Sequence, residues 1–110
     1  MVKPEGNQRP STTNSPSSNF SRDPAVKAWV LHRANGVCEC CHKPAPFMTT
    51  SGRPYLEVHH LIRLIDNGPD TPENCAALCP NCHRKLHHSP ERDTLTGELR
   101  EKVLEKESGL

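Results

Sequence analysis

The sequence predicts a small α+β domain stapled by a metal ion, and three observations carry that expectation. Two cysteine pairs, Cys38-x2-Cys41 and Cys79-x2-Cys82, are separated by a long insert. Short stretches such as "YLEVHH" and "CAAL" read as strands, and "CPNCHRKLHH" reads as a helix opening on the second pair. Finally, large apolar side chains are few, and a core this small rarely supplies more than ~3–5 kcal/mol by itself. Coordination of a metal ion is expected to provide the remainder.

Taken in order, the chain divides into three parts. Residues 1–22 are rich in Pro, Ser, Thr and Asn, with Val2 and Phe20 as the only large apolar side chains. That composition buries too little surface to offset the entropy of ordering, which predicts a disordered tail or linker. Residues 23–90 form the expected domain, and residues 91–110 an amphipathic helix with Leu95, Leu99 and Val103 on one face. No apolar run resembles a signal peptide or a membrane span, so the expectation is a soluble cytoplasmic protein without membrane contact. A net charge of +1 over 110 residues means that any nucleic-acid surface has to be local.

Within the domain, "RDPAVKAWVLHRANG" predicts a first helix. Asp23 can cap it, Pro24 suits its first turn, and Gly36 can end it. Val26, Trp29, Val30 and Val37 give it a buried stripe. "GVCECCHKPAP" is a tight turn. "FMTTSGRPYLEVHH" has a hairpin pattern with Gly52 at the bend and the better strand towards His59. "LIRLIDNGPDTPEN" is a loop broken at Asn67-Gly68-Pro69, with a helical turn opening at Thr71-Pro72.

The cysteine quartet points to structural zinc. Zinc takes four tetrahedral thiolate or imidazole ligands, and a two-residue spacer lets both sulfurs of a pair face one ion. Such a site is worth an apparent ~10–16 kcal/mol at neutral pH, several times what the core can offer. Disulfides would need an export signal that the chain does not show. Cys40 and Cys75 are left over. Cys40 could replace a neighbour as ligand, although the spacing favours Cys38 with Cys41; Cys75 reads as a small buried residue.

Four histidines fall where structural zinc has no use for them. His59 and His60 are adjacent at a strand end and would face opposite ways. His83 and His87 lie four apart on a helix and share a face. Phosphodiester hydrolysis needs a divalent cation to stabilise charge and a base to deprotonate water. Imidazole, with an unperturbed pKa of about 6.5, suits the base. Imidazoles from His59, His83 and His87 would leave open positions on a cation for phosphate and water.

"LEVHH", Asn74 after thirteen intervening residues, and "LCPNCHRKLH" together resemble the HNH endonuclease motif. The resemblance covers about residues 22 to 90. It is strongest to the branch with modified-cytosine restriction endonucleases, where one Cys-x-x-Cys pair precedes the motif and another is embedded in it. The histidine order is also similar to that of colicin-type nucleases, which lack this zinc. The resemblance implies a ββα-metal (HNH, His-Me finger) fold, in which a helix crosses a two-stranded hairpin and the catalytic metal sits between them. It implies His60 as general base, with His59, His83 and His87 as ligands of the catalytic metal. Asn74 would brace the loop that carries the base, and Glu57 would orient a ligand. Cys38, Cys41, Cys79 and Cys82 would hold the structural zinc. Cleavage would leave 5′-phosphate and 3′-hydroxyl ends on DNA. Arg63 and Asp66-Asn67-Gly68 depart from the relatives' pattern, which often has Pro and Gly-Gly there. Arg63, Arg84 and Lys85 are candidate phosphate contacts.

The choice of catalytic ion stays open among Mg²⁺, Mn²⁺, Ni²⁺, Co²⁺ and Zn²⁺, with all-imidazole ligation least suited to magnesium. A double-strand break would need a homodimer or two successive cuts, and selective cutting a separate recognition domain. The rival reading is a zinc-stapled module that binds nucleic acid or protein without catalysis. It makes the cysteines matter and His60 not, and it leaves the paired and helical histidines without a task. His32, His42 and His88 read as surface residues.

Overall fold

The computed structural model describes residues 2–10 and 22–109. Helix α1 (Pro24–Ala34) starts where the sequence places it, because the Asp23 side chain accepts a hydrogen bond from the Ala25 N–H at 2.9 Å. It stops one residue before the expected terminator. Asn35 adopts the left-handed conformation (φ 51) and donates its N–H to the Leu31 and His32 carbonyls. Gly36 follows at φ 81, so two consecutive left-handed residues turn the chain into the cysteine knuckle. Val26, Trp29, Val30 and Ala34 form the buried face of α1, and Val37, beyond the helix, is half-buried.

The sheet has two antiparallel strands, β1 (Glu57–His60) and β2 (Cys75–Leu78), in the register Glu57↔Leu78, Val58↔Ala77, His59↔Ala76 and His60↔Cys75. Directly opposed residues share a face of a sheet. His59 is therefore paired with a small alanine, while His60 and Cys75 stand on the other side. The predicted hairpin turn is present at Gly52 (φ 81), closed by a Tyr55 N–H to Phe47 carbonyl bond of 2.9 Å and a Phe47–Tyr55 ring stack at 4.7 Å. Its second arm leads into β1, but β1 takes β2 as its partner across the loop 61–74. That loop carries two 3₁₀ turns, Leu64–Asp66 and Pro72–Asn74.

Helix α2 (Pro80–His88) packs against the sheet through Cys82 and Leu86, and α3 (Arg92–Ser108) buries Leu99 and Val103 with Leu95 at the margin of the core. No helix among the described residues is long and apolar enough to cross a membrane. Part of the predicted disordered tail lies against this domain. Asn7 and Asp70 exchange backbone hydrogen bonds of 2.8 and 2.7 Å, and Lys3 pairs with Glu73 and Glu107. The rest of that expectation, at Met1 and residues 11–21, lies outside the described residues.

The interior holds a charged network that the apolar pattern did not announce. Arg33, on α1, has a side chain only 2% exposed. It donates to both carboxylate oxygens of Glu39 (2.9 and 2.7 Å), to Glu107 Oε2 (2.7 Å), and to the carbonyls of Pro72 and Cys75 (2.9 and 2.8 Å). Burial works against both charges, but the mutual bonds outweigh it, raising the arginine's pKa and lowering that of Glu39. Glu39 also covers the outer edge of β2. Its N–H donates to the Ala77 carbonyl and its Oε1 accepts from the Ala77 N–H, both at 2.9 Å. Trp29 Nε1 and Lys106 Nζ complete the network by donating to Glu107 and Glu39. Removing one partner of such a pair strands the other charge. Arg33→Ala is expected to lower the unfolding free energy by about 3–5 kcal/mol, read from urea denaturation followed by circular dichroism.

Candidate active site

The four predicted cysteines converge. One sulfur from each of Cys38, Cys41, Cys79 and Cys82 lies within 4.8 Å of the others, with Cys41 and Cys79 Sγ at 4.0 Å. A tetrahedral zinc site with Zn–S bonds near 2.3 Å sets its sulfurs about 3.8 Å apart, so this donor set fits the ion. The local protonation pattern agrees. Burial opposes ionisation of Cys38, but N–H groups of Cys41, Cys79 and Cys40 outweigh it and bring the thiol to about 7. Burial and the neighbouring sulfurs raise Cys82 and Cys79. Cys40 stays outside the quartet with its thiol raised, chiefly by burial. Cys75 is buried, its thiol pushed up to about 12 by burial and then by the Asp70 charge.

The second cluster comes from His59 on β1 and His83 and His87 on α2. Their ring centroids are 5.1, 4.9 and 5.0 Å apart, and one nitrogen from each lies within 4.8 Å of the other two. The i,i+4 spacing puts both helical rings over the strand, and Ala76 opposite His59 leaves room for its ring. His59 is lowered to about 4 by burial first and then by the adjacent imidazoles; His87 is lowered by burial and by His83. Three imidazoles facing one point would suit a cation and leave positions on it for other ligands.

Glu57 meets the histidine cluster at His83. Its Oε1 accepts from His83 Nδ1 at 2.8 Å. The Tyr55 hydroxyl donates to the other oxygen at 2.6 Å. The Tyr55 bond and then the His83 bond hold the Glu57 carboxyl below its ordinary range. With Nδ1 engaged, Nε2 is the atom His83 would offer an ion. Tyr55 was not among the predicted residues; its position two before Glu57 on an extended segment was the available signal.

His60 points away from the triad's face, and its Nε2 lies 2.8 Å from Asp70 Oδ1. Asp70 Oδ2 accepts from the Asp23 N–H at 2.6 Å. Asp70 was read as part of a polar loop, and nothing in "NGPDTPEN" distinguishes it from a turn aspartate. Asn74 is buried and spans the loop. Its Oδ1 accepts from the Ile62 N–H at 2.9 Å, while Nδ2 donates to the carbonyls of Ile62 (2.9 Å) and Pro69 (2.8 Å). These contacts fix the segment directly after His60.

The triad and His60 line one cleft of about 440 Å³, shared with Arg22, Arg63 and Ile65. Arg63 is exposed and bonded to Asp66 at 2.9 Å. Arg22, which precedes the helix cap, carries no sequence signature of its own. Arg84 and Lys85 are exposed on α2 and lie outside the lining of that cleft. His32, His42 and His88 are exposed, as expected.

The comparisons with known proteins agree with this geometry. Over 89 residues the chain is 53% identical to the type IV methyl-directed restriction enzyme EcoKMcrA of Escherichia coli (strain K12), a match covering 81% of this chain and 32% of that protein. Its fold matches that of the type IV phosphorothioation-dependent restriction endonuclease ScoMcrA with a TM-score of 0.75 and 31% identity, over 88% of this chain and 19% of that one. The chain thus spans about a third of the length of the curated relative, and less of the solved one. The family model for HNH endonucleases matches residues 38–89, a stretch that begins at the first zinc-knuckle cysteine and contains both strands and α2. In its α+β architecture, and over residues 38–89 in its sequence, the chain matches the HNH endonuclease family, and the cysteine quartet and the His59, His83 and His87 cluster both lie inside that stretch.

Proposed function

We propose that this chain is a metal-dependent endonuclease that hydrolyses DNA phosphodiester bonds, with His60 as the base that activates water. The observation that carries the reading is the shared cleft. His59, His83 and His87 converge on one point, and His60, held separately by Asp70, opens onto the same space. A divalent cation held by the three imidazoles would stabilise negative charge on the phosphate and on the departing 3′ oxygen. Imidazole donors suit Ni²⁺, Co²⁺, Zn²⁺ and Mn²⁺ better than Mg²⁺. The Cys38, Cys41, Cys79 and Cys82 cluster is assigned to structural zinc.

Each remaining task falls to a side chain. In the neutral ring His60 donates its Nε2–H to the Asp70 carboxylate, so Nδ1 keeps its lone pair and takes the proton of the attacking water. Asn74 fixes the backbone after His60 and so limits its drift. Glu57, steadied by Tyr55, holds His83 in the tautomer a ligand needs. Arg63 and Arg22 are assigned to phosphates on either side of the cut, and Arg84 and Lys85 to more distant ones. The relatives' names describe methyl-directed and phosphorothioation-dependent restriction. We assign this domain the cutting step of such a cytoplasmic restriction activity. A recognition domain would supply the choice of DNA, and a second copy of the domain the second strand cut.

The reading is tested by nicking of supercoiled plasmid in Mn²⁺, Ni²⁺ or Co²⁺. His60→Ala is expected to lose about 10²- to 10⁴-fold in rate while keeping its zinc, and unchanged nicking would sink the assignment. Glu57→Ala is expected to weaken cation affinity at the triad by about 10- to 100-fold in titration calorimetry. Cys79→Ser should lose zinc by elemental analysis and unfold at ambient temperature, as chelator-treated protein should. With zinc in the cysteine quartet and no cation on the imidazoles, the depressed His59 also makes stability depend on pH. The unfolded chain takes up a proton near 6.5 that the folded chain refuses until about 4. Stability is therefore expected to fall as pH drops through that window, and His59→Gln to flatten the dependence in denaturant melts.

A further inference from the structure

The N-terminal stretch touches the site at one residue. Asp70 is held from three directions. His60 Nε2 meets its Oδ1, the Asp23 N–H donates to its Oδ2, and its own backbone N–H and carbonyl are both taken by Asn7, at 2.7 and 2.8 Å. Gly6 makes that approach possible. At φ 75 it lies so close that a Cβ would stand 2.2 Å from the Asp70 carbonyl oxygen and 3.0 Å from Thr71 Cα. Lys3 anchors the other end. Its ammonium is 2.8 Å from Glu107 Oε1 and also pairs with Glu73, the residue before Asn74. None of residues 2–10 is buried, and Val2 is 92% exposed, so the segment adds little to the core. Its contacts are polar, and they converge on the loop behind the proposed base.

We propose that residues 3–7 are a positioning strap, which fixes the Asp70 backbone and through Asp70 the orientation of His60. The proposal rests on the reading of His60 as the base. The strap touches neither substrate nor cation, so it acts on the rate of the chemical step and not on binding. Base misplacement of about 1 Å is enough to cost up to a hundredfold in rate.

Gly6→Ala in the full chain tests this, with Gly52→Ala as the control. Gly52 has a similar left-handed φ of 81, but a Cβ there meets nothing within 4 Å. Gly6→Ala is expected to lower kcat for plasmid nicking by about 10- to 100-fold, with KM, zinc content and Ni²⁺ affinity unchanged. Lys3→Ala should lower kcat in the same sense, and Gly52→Ala should match wild type. Wild-type kcat in Gly6→Ala overturns the strap, as does a loss shared by Gly52→Ala or accompanied by weaker Ni²⁺ binding. Long-range ¹H–¹⁵N spectra of the histidine rings read the same contact without turnover. Wild type should show His60 as the Nε2–H tautomer alone, and Gly6→Ala a mixture; an unchanged tautomer also overturns the strap. An active His60→Ala variant would instead remove the base assignment, and the tautomer would still report on the strap.

Discussion

The buried guanidinium of Arg33 is the contact on which the architecture turns. It reaches helix α3 through Glu107, the knuckle turn through Glu39, and the entry to β2 through the Pro72 and Cys75 carbonyls. A planar five-donor fork can serve that many acceptors at once, and lysine cannot. The acceptors lie on three separate segments of the chain. In a chain with so little apolar mass, one saturated cation does work that larger domains leave to packed side chains.

The site inherits its order from the pairing of β1 with β2. Side chains alternate along a strand, so one register sends His59 under α2 and His60 towards the loop. A slip of one residue would exchange them and put His60, in place of His59, beside His83 and His87. Glu39 closes the β2 edge at Ala77, and Asn74 bridges the two ends of the connecting loop. Register, edge and loop are thus secured by polar contacts, which are directional where apolar contacts are not.

The sequence made the fold class and most of the site legible because metal ligands must obey fixed spacings. Paired cysteines, adjacent histidines on a strand and histidines four apart on a helix each leave a local signature. Residues that act through long-range contacts leave none. Asp70 looks like any aspartate in a polar loop, and Tyr55 and Arg22 like ordinary surface side chains. Strand parity put Glu57 on the face of the histidine cluster but named no partner, because parity gives a face and not a contact. Arg33 and Glu39 were missed since the periodicity of α1 reports apolar burial and is blind to a buried charge. Residues 2–10 lacked the apolar content that predicts order, yet two backbone hydrogen bonds and an ion-paired lysine hold them to the domain.

Cys82 and His83 are consecutive on α2, one turned to the sulfur cluster and the other to the imidazole cluster. A single rigid rod is therefore keyed at two neighbouring points, and its rotation about its own axis is a shared coordinate. Whatever fixes that rotation at the sulfurs also sets the bite angle that His83 and His87 offer His59. Ions at the two clusters would then be thermodynamically linked, by an equal free energy in both directions. An ion held by the four sulfurs would then help to choose the cation that the imidazoles take, because the width of their cage decides which cationic radius it accepts.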